Sequence, residues 1–200
     1  MPLPQEKGNY SYADYLTWPE GERWEIIDGL AYLQAVPSPL HQEILIGLSA
    51  QFYQYLSGKP CKVYPAPFSV RLIKDGEKEN EDIKVVVEPD ITIVCDKAKI
   101  DGKGCHGAPD LIVEIISPSS IKMDKLIKFN KYEKAGVKEY WIVEPEGKLV
   151  SVFVLLDDQR YGRPEIYTED DKIKVSIFPD LMVDLKPVFD SEVSDQKPEA

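Results

Sequence analysis

The chain has 200 residues, 43% of them hydrophobic and 30% charged, with a formal net charge of −11 at pH 7. That length suits one ordinary domain, and the apolar share is enough to bury a core. No apolar run approaches the roughly 18–20 residues that a bilayer span needs, and so acidic a balance excludes a protein that coats nucleic acid through phosphate contacts, though not an enzyme that meets it with one local basic surface.

Residues 1–10 lack the apolar core of a secretion signal. Three cysteines, Cys61, Cys95 and Cys105, are an odd number at spacings that suggest no disulfide, which suits a reducing compartment. A soluble, cytoplasmic protein is therefore expected. Cys105-His106 has no CxxC or HxxxH companion and is read as no zinc site.

Ser11 is placed to cap a short helix over residues 12–18. Residues 23–36 are two apolar-rich runs around Asp28-Gly29, a strong hairpin signal. Pro37-Ser38-Pro39 interrupts the sheet. Ile44, Leu45, Leu48, Phe52 and Tyr55 then recur at helical spacing in a helix predicted over 40–56 and closed by Gly58. Residues 61–73 are extended, with Pro65 and Pro67 marking an edge or a bulge. Residues 74–84 are charged and read as a mobile connection. Residues 85–95 read as one β-rich strand, 96–108 as a loop with three glycines, and 111–116 as a strand buried on both faces.

Ser119 or Ser120 caps the next helix, which runs to about Ala135 with Gly136 just past its end. A strand over 139–143 follows. Glu146-Gly147 turns the chain into another over 149–156, and short strands and turns continue to Phe189. Residues 191–200 are polar and read as a disordered tail, which leaves 1–190 as a single domain. Strand, strand, helix, strand implies a right-handed parallel crossover. With antiparallel hairpins on its flanks, the expected architecture is α/β: a mixed sheet flanked by helices.

Two carboxylates stand where apolar residues belong. Glu114 interrupts Leu111-Ile112-Val113-Glu114-Ile115-Ile116, and an unpaired carboxylate buried there costs several kcal/mol, so it needs a partner or an ion. Asp90 interrupts Val87-Glu88-Pro89-Asp90-Ile91-Thr92-Ile93-Val94. Two carboxylates from neighbouring strands can share one hard cation; paired with Arg or Lys, or facing water, they would be merely structural. The helix after Glu114 is basic. Residues 121–138 hold six lysines against Asp124 and Glu133, a local charge of +4 that leaves −15 for the rest of the chain. Asp124 and Lys128, at i and i+4, share one face of it.

Pro89-Asp90, then Glu114 in an apolar strand, then a lysine-bearing helix resembles the PD-(D/E)XK nuclease superfamily. The closer resemblance is to its Uma-type restriction-endonuclease-like family. It rests on Trp24-Glu25-Ile26-Ile27-Asp28-Gly29, on Pro39-Leu40-His41 and on Glu88-Pro89-Asp90. It continues through Ala108-Pro109-Asp110-Leu111-Ile112-Val113-Glu114-Ile115-Ile116-Ser117-Pro118-Ser119, then Asp124 with Lys128 and Tyr132. Residues 135–143 and Phe178-Pro179-Asp180-Leu181 complete it, so it spans roughly residues 12–189.

The resemblance implies a restriction-endonuclease-like core and a metal-dependent endonuclease that hydrolyses phosphodiester bonds, with DNA ranked ahead of RNA. Asp90, Glu114 and the backbone carbonyl of Ile115 would hold Mg²⁺ or Mn²⁺, and one ion or two fits the pattern. Lys128 would orient the attacking water or neutralise developing charge. The superfamily's lysine two residues after the glutamate is replaced here by Ile116, so the helix supplies it; Lys125 and Lys131 compete with Lys128 for that role. Glu25, His41 and Asp124 are possible accessory residues, while Tyr132, Trp141 and Cys95 are read as core. A homodimer is implied as well, for which the aromatic flank of Tyr12, Tyr15, Trp18 and Trp24 could supply a contact patch. The alternative from another class is a catalytically silent binding or assembly module on the same fold. A transposon- or defence-associated accessory protein is a third reading.

Overall fold

The structure, a computed structural model, describes residues 8–19, 21–73 and 79–190. The expected mobile connection over 74–84 falls partly outside them, and the expected tail over 191–200 wholly so.

Ser11 and Asp14 form a capping box at the start of α1 (Tyr12–Tyr15), each accepting from the other's amide. Asp28 and Gly29, both at positive φ (50° and 79°), fold β1 (Trp24–Ile27) back on β2 (Leu30–Leu33). Ser38 caps α2 (Pro39–Leu56), with Pro39 in its first turn. The chain continues through β3 (Lys62–Pro65), β4 (Val70–Arg71), β5 (Val85–Val87) and β6 (Ile91–Val94). A 3₁₀ turn (Lys97–Lys99) leads to β7 (Ile100–Asp101), β8 (Gly104–His106) and the central β9 (Leu111–Ile115). A π-helical stretch (Met123–Lys128) runs directly into α3 (Phe129–Ala135), which Gly136 ends at φ 85°. Then come β10 (Glu139–Glu144), β11 (Leu149–Val154), β12 (Glu165–Thr168), β13 (Lys172–Lys174), β14 (Met182–Asp184) and α4 (Lys186–Phe189).

The strands make two six-stranded sheets. One has the order β2-β1-β5-β4-β8-β7, the other β12-β11-β10-β9-β6-β3, and β13 pairs with β14 apart from both. The expected crossover is present: β9 and β10 are parallel, with Glu114 opposite Ile142, and the remaining pairs of the second sheet are antiparallel. Helix α2 covers one face of that sheet, packing Ile44, Leu48 and Phe52 with Ile91, Val113 and Trp141. The opposite face, through Ile112, Tyr140 and Ile142, packs against Ile27, Val70 and Val87 of the first sheet and Tyr132 of α3. Side chains alternate along a strand, so Glu114, in phase with Ile112, points into the space between the sheets.

Residues 85–95 are not one strand. Pro89 has no amide hydrogen to give a ladder, and at Glu88-Pro89-Asp90 the chain leaves the first sheet through β5 and enters the second as β6. It makes the reverse crossing between β3 and β4, and the Ala66 amide donates to the Asp90 carbonyl (2.9 Å) where the two crossings meet. The predicted loop over 96–108 contains the β7–β8 hairpin, whose Gly104 sits at φ 122° with the Ser69 carbonyl oxygen 2.1 Å from where a Cβ would stand. Gly104→Ala is therefore expected to lower stability by about 3 kcal/mol, read as a shift in the urea midpoint; an unchanged midpoint would contradict this packing.

Two further expectations change. Cys61 and Cys95, read as unpaired thiols, are joined in a disulfide where β3 and β6 run side by side, and Cys105 is free and buried. The cysteine count therefore no longer argues for a reducing compartment. The aromatic flank is not a surface patch: Tyr12 is 1% and Trp24 5% exposed. Trp18 meets Tyr10, Tyr15 and Trp24 at ring-centroid distances of 5.3, 5.5 and 5.7 Å. These rings fix α1 to the first sheet and are used up inside one chain. Among the described residues no helix is long and apolar enough to cross a membrane.

Candidate active site

The cleft of about 440 Å³ at one end of the inter-sheet space is lined by residues from four regions: Arg23 and Glu25 of the first hairpin, Glu88 and Asp90 of the crossing, Glu114 and Ile115 of β9, and Asp124 and Lys128 of the π-helical stretch. His41, from the first turn of α2, completes the wall. All six side chains singled out in the sequence therefore line one cleft, and Ile115 lines it too.

Lys128 is 3% exposed and its Nζ stands among three carboxylates: Glu25 Oε1 at 2.8 Å, Glu114 Oε1 at 3.1 Å and Asp124 Oδ1 at 3.5 Å. An ammonium has three N–H donors, and here each has one anionic partner. The competing lysines are engaged elsewhere: Lys125 pairs with Glu144 (2.8 Å) and Lys131 with Asp28 (2.6 Å). The π-helical winding was not legible in the sequence. Asp124 and Lys128 are its buried residues, and the Tyr140 hydroxyl donates to the Asp124 carbonyl (3.1 Å) within it. Such segments recur at functional sites.

Asp90 Oδ2 accepts the Ile115 amide (2.7 Å), which ties the crossing to the end of β9, and its Oδ1 lies 3.2 Å from His41 Nε2. His41 Nδ1 is buried and accepts or donates no hydrogen bond among the described residues. Burial raises the Glu114 carboxyl well above the usual carboxylate range; Lys128 opposes this, while Asp124, Asp90 and Glu25 add to it. Asp124 is raised for the same first reason. Burial alone would lower Lys128, but Glu114, Glu25 and Asp124 outweigh it and hold the ammonium protonated far into the alkaline range.

Among the described residues no three His, Cys, Asp or Glu side chains already stand in metal-holding geometry; the Lys128 ammonium stands between the carboxylates instead. The donor set nevertheless suits a hard cation. Five carboxylates face two cations in the cleft, a formal balance of −3. Glu114 Oε1 carries Lys128 and the Tyr132 hydroxyl (2.6 Å), while Oε2 accepts no hydrogen bond from the described residues. Asp90, Glu114 and Ile115 line the same cleft, and two carboxylates with water and substrate phosphate are the usual protein share of a Mg²⁺ site.

Two features escaped the sequence reading. Tyr132, read as core, is fully buried yet sends its hydroxyl to Glu114; Trp141 is core throughout. Glu88, 7% exposed, accepts Arg23 Nε (3.0 Å) and the Tyr15 hydroxyl (3.0 Å), and its own amide donates to Glu25 (2.8 Å). Neither leaves a local pattern, because the partners are 18 to 73 residues apart.

Comparison with known proteins bears on the family and the fold. A family model, Uma2, described as "Putative restriction endonuclease", matches residues 12–186. A protein of Synechocystis sp. (strain ATCC 27184 / PCC 6803 / Kazusa), described as "Uncharacterized protein slr1290", is 25% identical over 148 residues, covering 72% of this chain and 74% of its own. A crystal structure from Anabaena variabilis ATCC 29413, described as "a putative nuclease belonging to DUF820", superposes with a TM-score of 0.71 at 18% identity. It covers 90% of this chain and 97% of its own. At that identity the likeness concerns the fold.

Proposed function

The chain belongs to the Uma2 restriction-endonuclease family, and from that premise we propose that it is a Mg²⁺- or Mn²⁺-dependent endonuclease that hydrolyses phosphodiester bonds, with DNA as the substrate. The observation that carries the reading is the meeting of Asp90, Glu114 and Lys128 in one cleft at the mouth of the inter-sheet space. Asp90 and Glu114, with the Ile115 carbonyl, would hold the divalent ion. When bound, such an ion supplies Lewis-acid activation of water and neutralises charge on the scissile phosphate.

The chain's own residues do the rest. The Ile115 amide fixes Asp90, and Tyr132 and Lys128 fix one oxygen of Glu114 so that the other is presented to the cleft. Lys128 must release one carboxylate before an N–H can reach a water or a phosphate oxygen. Asp124, its most distant partner at 3.5 Å, is the one to yield. The freed donor then orients the nucleophile or stabilises charge as it develops.

Nicking of supercoiled plasmid in Mn²⁺ tests the reading. The parent is expected to nick, and Lys125→Ala and Lys131→Ala to nick within about threefold of it, because exposed ion pairs contribute only about 0–1 kcal/mol. A parent that cuts neither DNA nor RNA with any divalent ion moves the chain to the silent binding-module reading.

A further inference from the structure

We infer that Arg23 is the residue that grips the substrate backbone: its guanidinium binds a non-bridging phosphate oxygen pair, so the cleft recognises phosphate without reading base sequence. The inference rests on the nuclease reading and adds to it the group that holds the substrate.

Only two cations line the cleft among the described residues, Arg23 and Lys128. Lys128 is buried, with each N–H facing a carboxylate. Arg23 differs on every count. Its side chain is 31% exposed, and among the described residues it pairs with Glu88 alone, reached through Nε. The edge formed by its two Nη groups donates no hydrogen bond to the described residues. Arg23 also lies just before β1, two residues from Glu25, and lines the same cleft as the carboxylate cage.

The guanidinium is also held in place. The buried Glu88 carboxylate takes Arg23 on one oxygen and the Tyr15 hydroxyl on the other. Burial and the Glu88 charge push the Tyr15 hydroxyl well up, so it stays protonated as a donor. A planar cation anchored at one edge and open at the other is the arrangement that takes phosphate bidentately, at little further loss of side-chain freedom. Phosphate contacts fix register and carry no sequence information. Glu88 and Tyr15 are then positioning residues.

Fluorescence anisotropy with a labelled oligonucleotide, in Ca²⁺ and over a range of salt, reads the contact directly. Arg23→Gln is expected to weaken binding about tenfold or more and to reduce the slope of log K against log salt by about 0.7–0.9, equally for two unrelated sequences. Arg23→Lys should keep the parental slope and recover only part of the affinity. Tyr15→Phe should raise KM while leaving kcat and Mn²⁺ affinity by calorimetry unchanged. Parental affinity and slope in Arg23→Gln, or loss for one sequence and not the other, overturns the inference. Inorganic phosphate is the second probe, followed by phosphorus NMR in Ca²⁺. If the parent cuts nothing but binds phosphate and Arg23→Gln does not, the nuclease reading fails and Arg23 stands; if the parent and Arg23→Gln bind phosphate equally, Arg23 fails.

Discussion

Lys128→Ala is expected to lower turnover about 10²–10³-fold and to destabilise the fold by about 3–5 kcal/mol at pH 7. The first loss follows from removing the donor proposed to act on the attacking water or the phosphate. The second follows from the cage: without the ammonium, Glu25, Glu114 and Asp124 are left as buried carboxylates with no counter-charge among them. The pH dependence carries a distinctive sign. Burial already raises Glu114 and Asp124, and Lys128 is what opposes it. A carboxyl raised on folding binds more protons folded than unfolded, so its contribution is complete below the unfolded value and is lost as pH rises through the folded one. The variant should therefore gain stability between pH 7 and pH 5, and more steeply than the parent. Urea midpoints at three pH values measure this; a variant as stable as the parent throughout would mean that Lys128 does not neutralise the cage.

Glu114→Gln should cost at least as much in catalysis and be nearly neutral in stability. The amide keeps the shape that Tyr132 and Lys128 touch, removes one buried charge, and leaves the ammonium with Glu25 and Asp124. Cleavage is expected to fall by about 10³-fold or more, and Mn²⁺ affinity by more than the roughly 10–100-fold that loss of an outer-shell partner costs. Asp90→Asn should behave alike, since an asparagine oxygen can still accept the Ile115 amide. Calorimetric titration of Mn²⁺ beside a cleavage assay separates these variants from Lys128→Ala, which should still bind the ion. Full Mn²⁺ affinity in both carboxylate variants would remove Asp90 and Glu114 as the ligands.

Much of the site was legible because it violates local rules. A glutamate inside five aliphatic residues cannot be an ordinary core position, and Pro89-Asp90 in a valine and isoleucine run is likewise out of place. The hairpin at Asp28-Gly29, the cap at Ser38 and the end at Gly136 each follow from backbone preferences that one or two residues express. What stayed hidden depends on partners distant in sequence. The run 85–95 has the hydrophobicity of a strand on either side of Pro89, and nothing in it says that two different sheets receive the halves. The β7–β8 hairpin is too short to show alternation. The Cys61–Cys95 pairing depends on β3 lying beside β6, and the roles of Arg23, Glu88 and the Tyr132 hydroxyl depend on the two sheets closing over one another.

The double crossing between the sheets has a consequence for the order in which the molecule can come into being. The cleft draws on residue 25, then 90, then 114, then 124 and 128, with the Ala66 amide fastened to the Asp90 carbonyl between them. A chain growing from its N-terminus thus accumulates the acidic members first, and the cation that makes them compatible arrives last. Before Lys128 is in hand, drawing Glu25 and Glu114 together would bury like charges without relief, which physical chemistry opposes. The lysine is therefore also a latch on assembly: apolar packing draws the two sheets together, but the carboxylate cage between them becomes compatible with burial only once the basic helix has been made, and a half-made chain has no competent cleft.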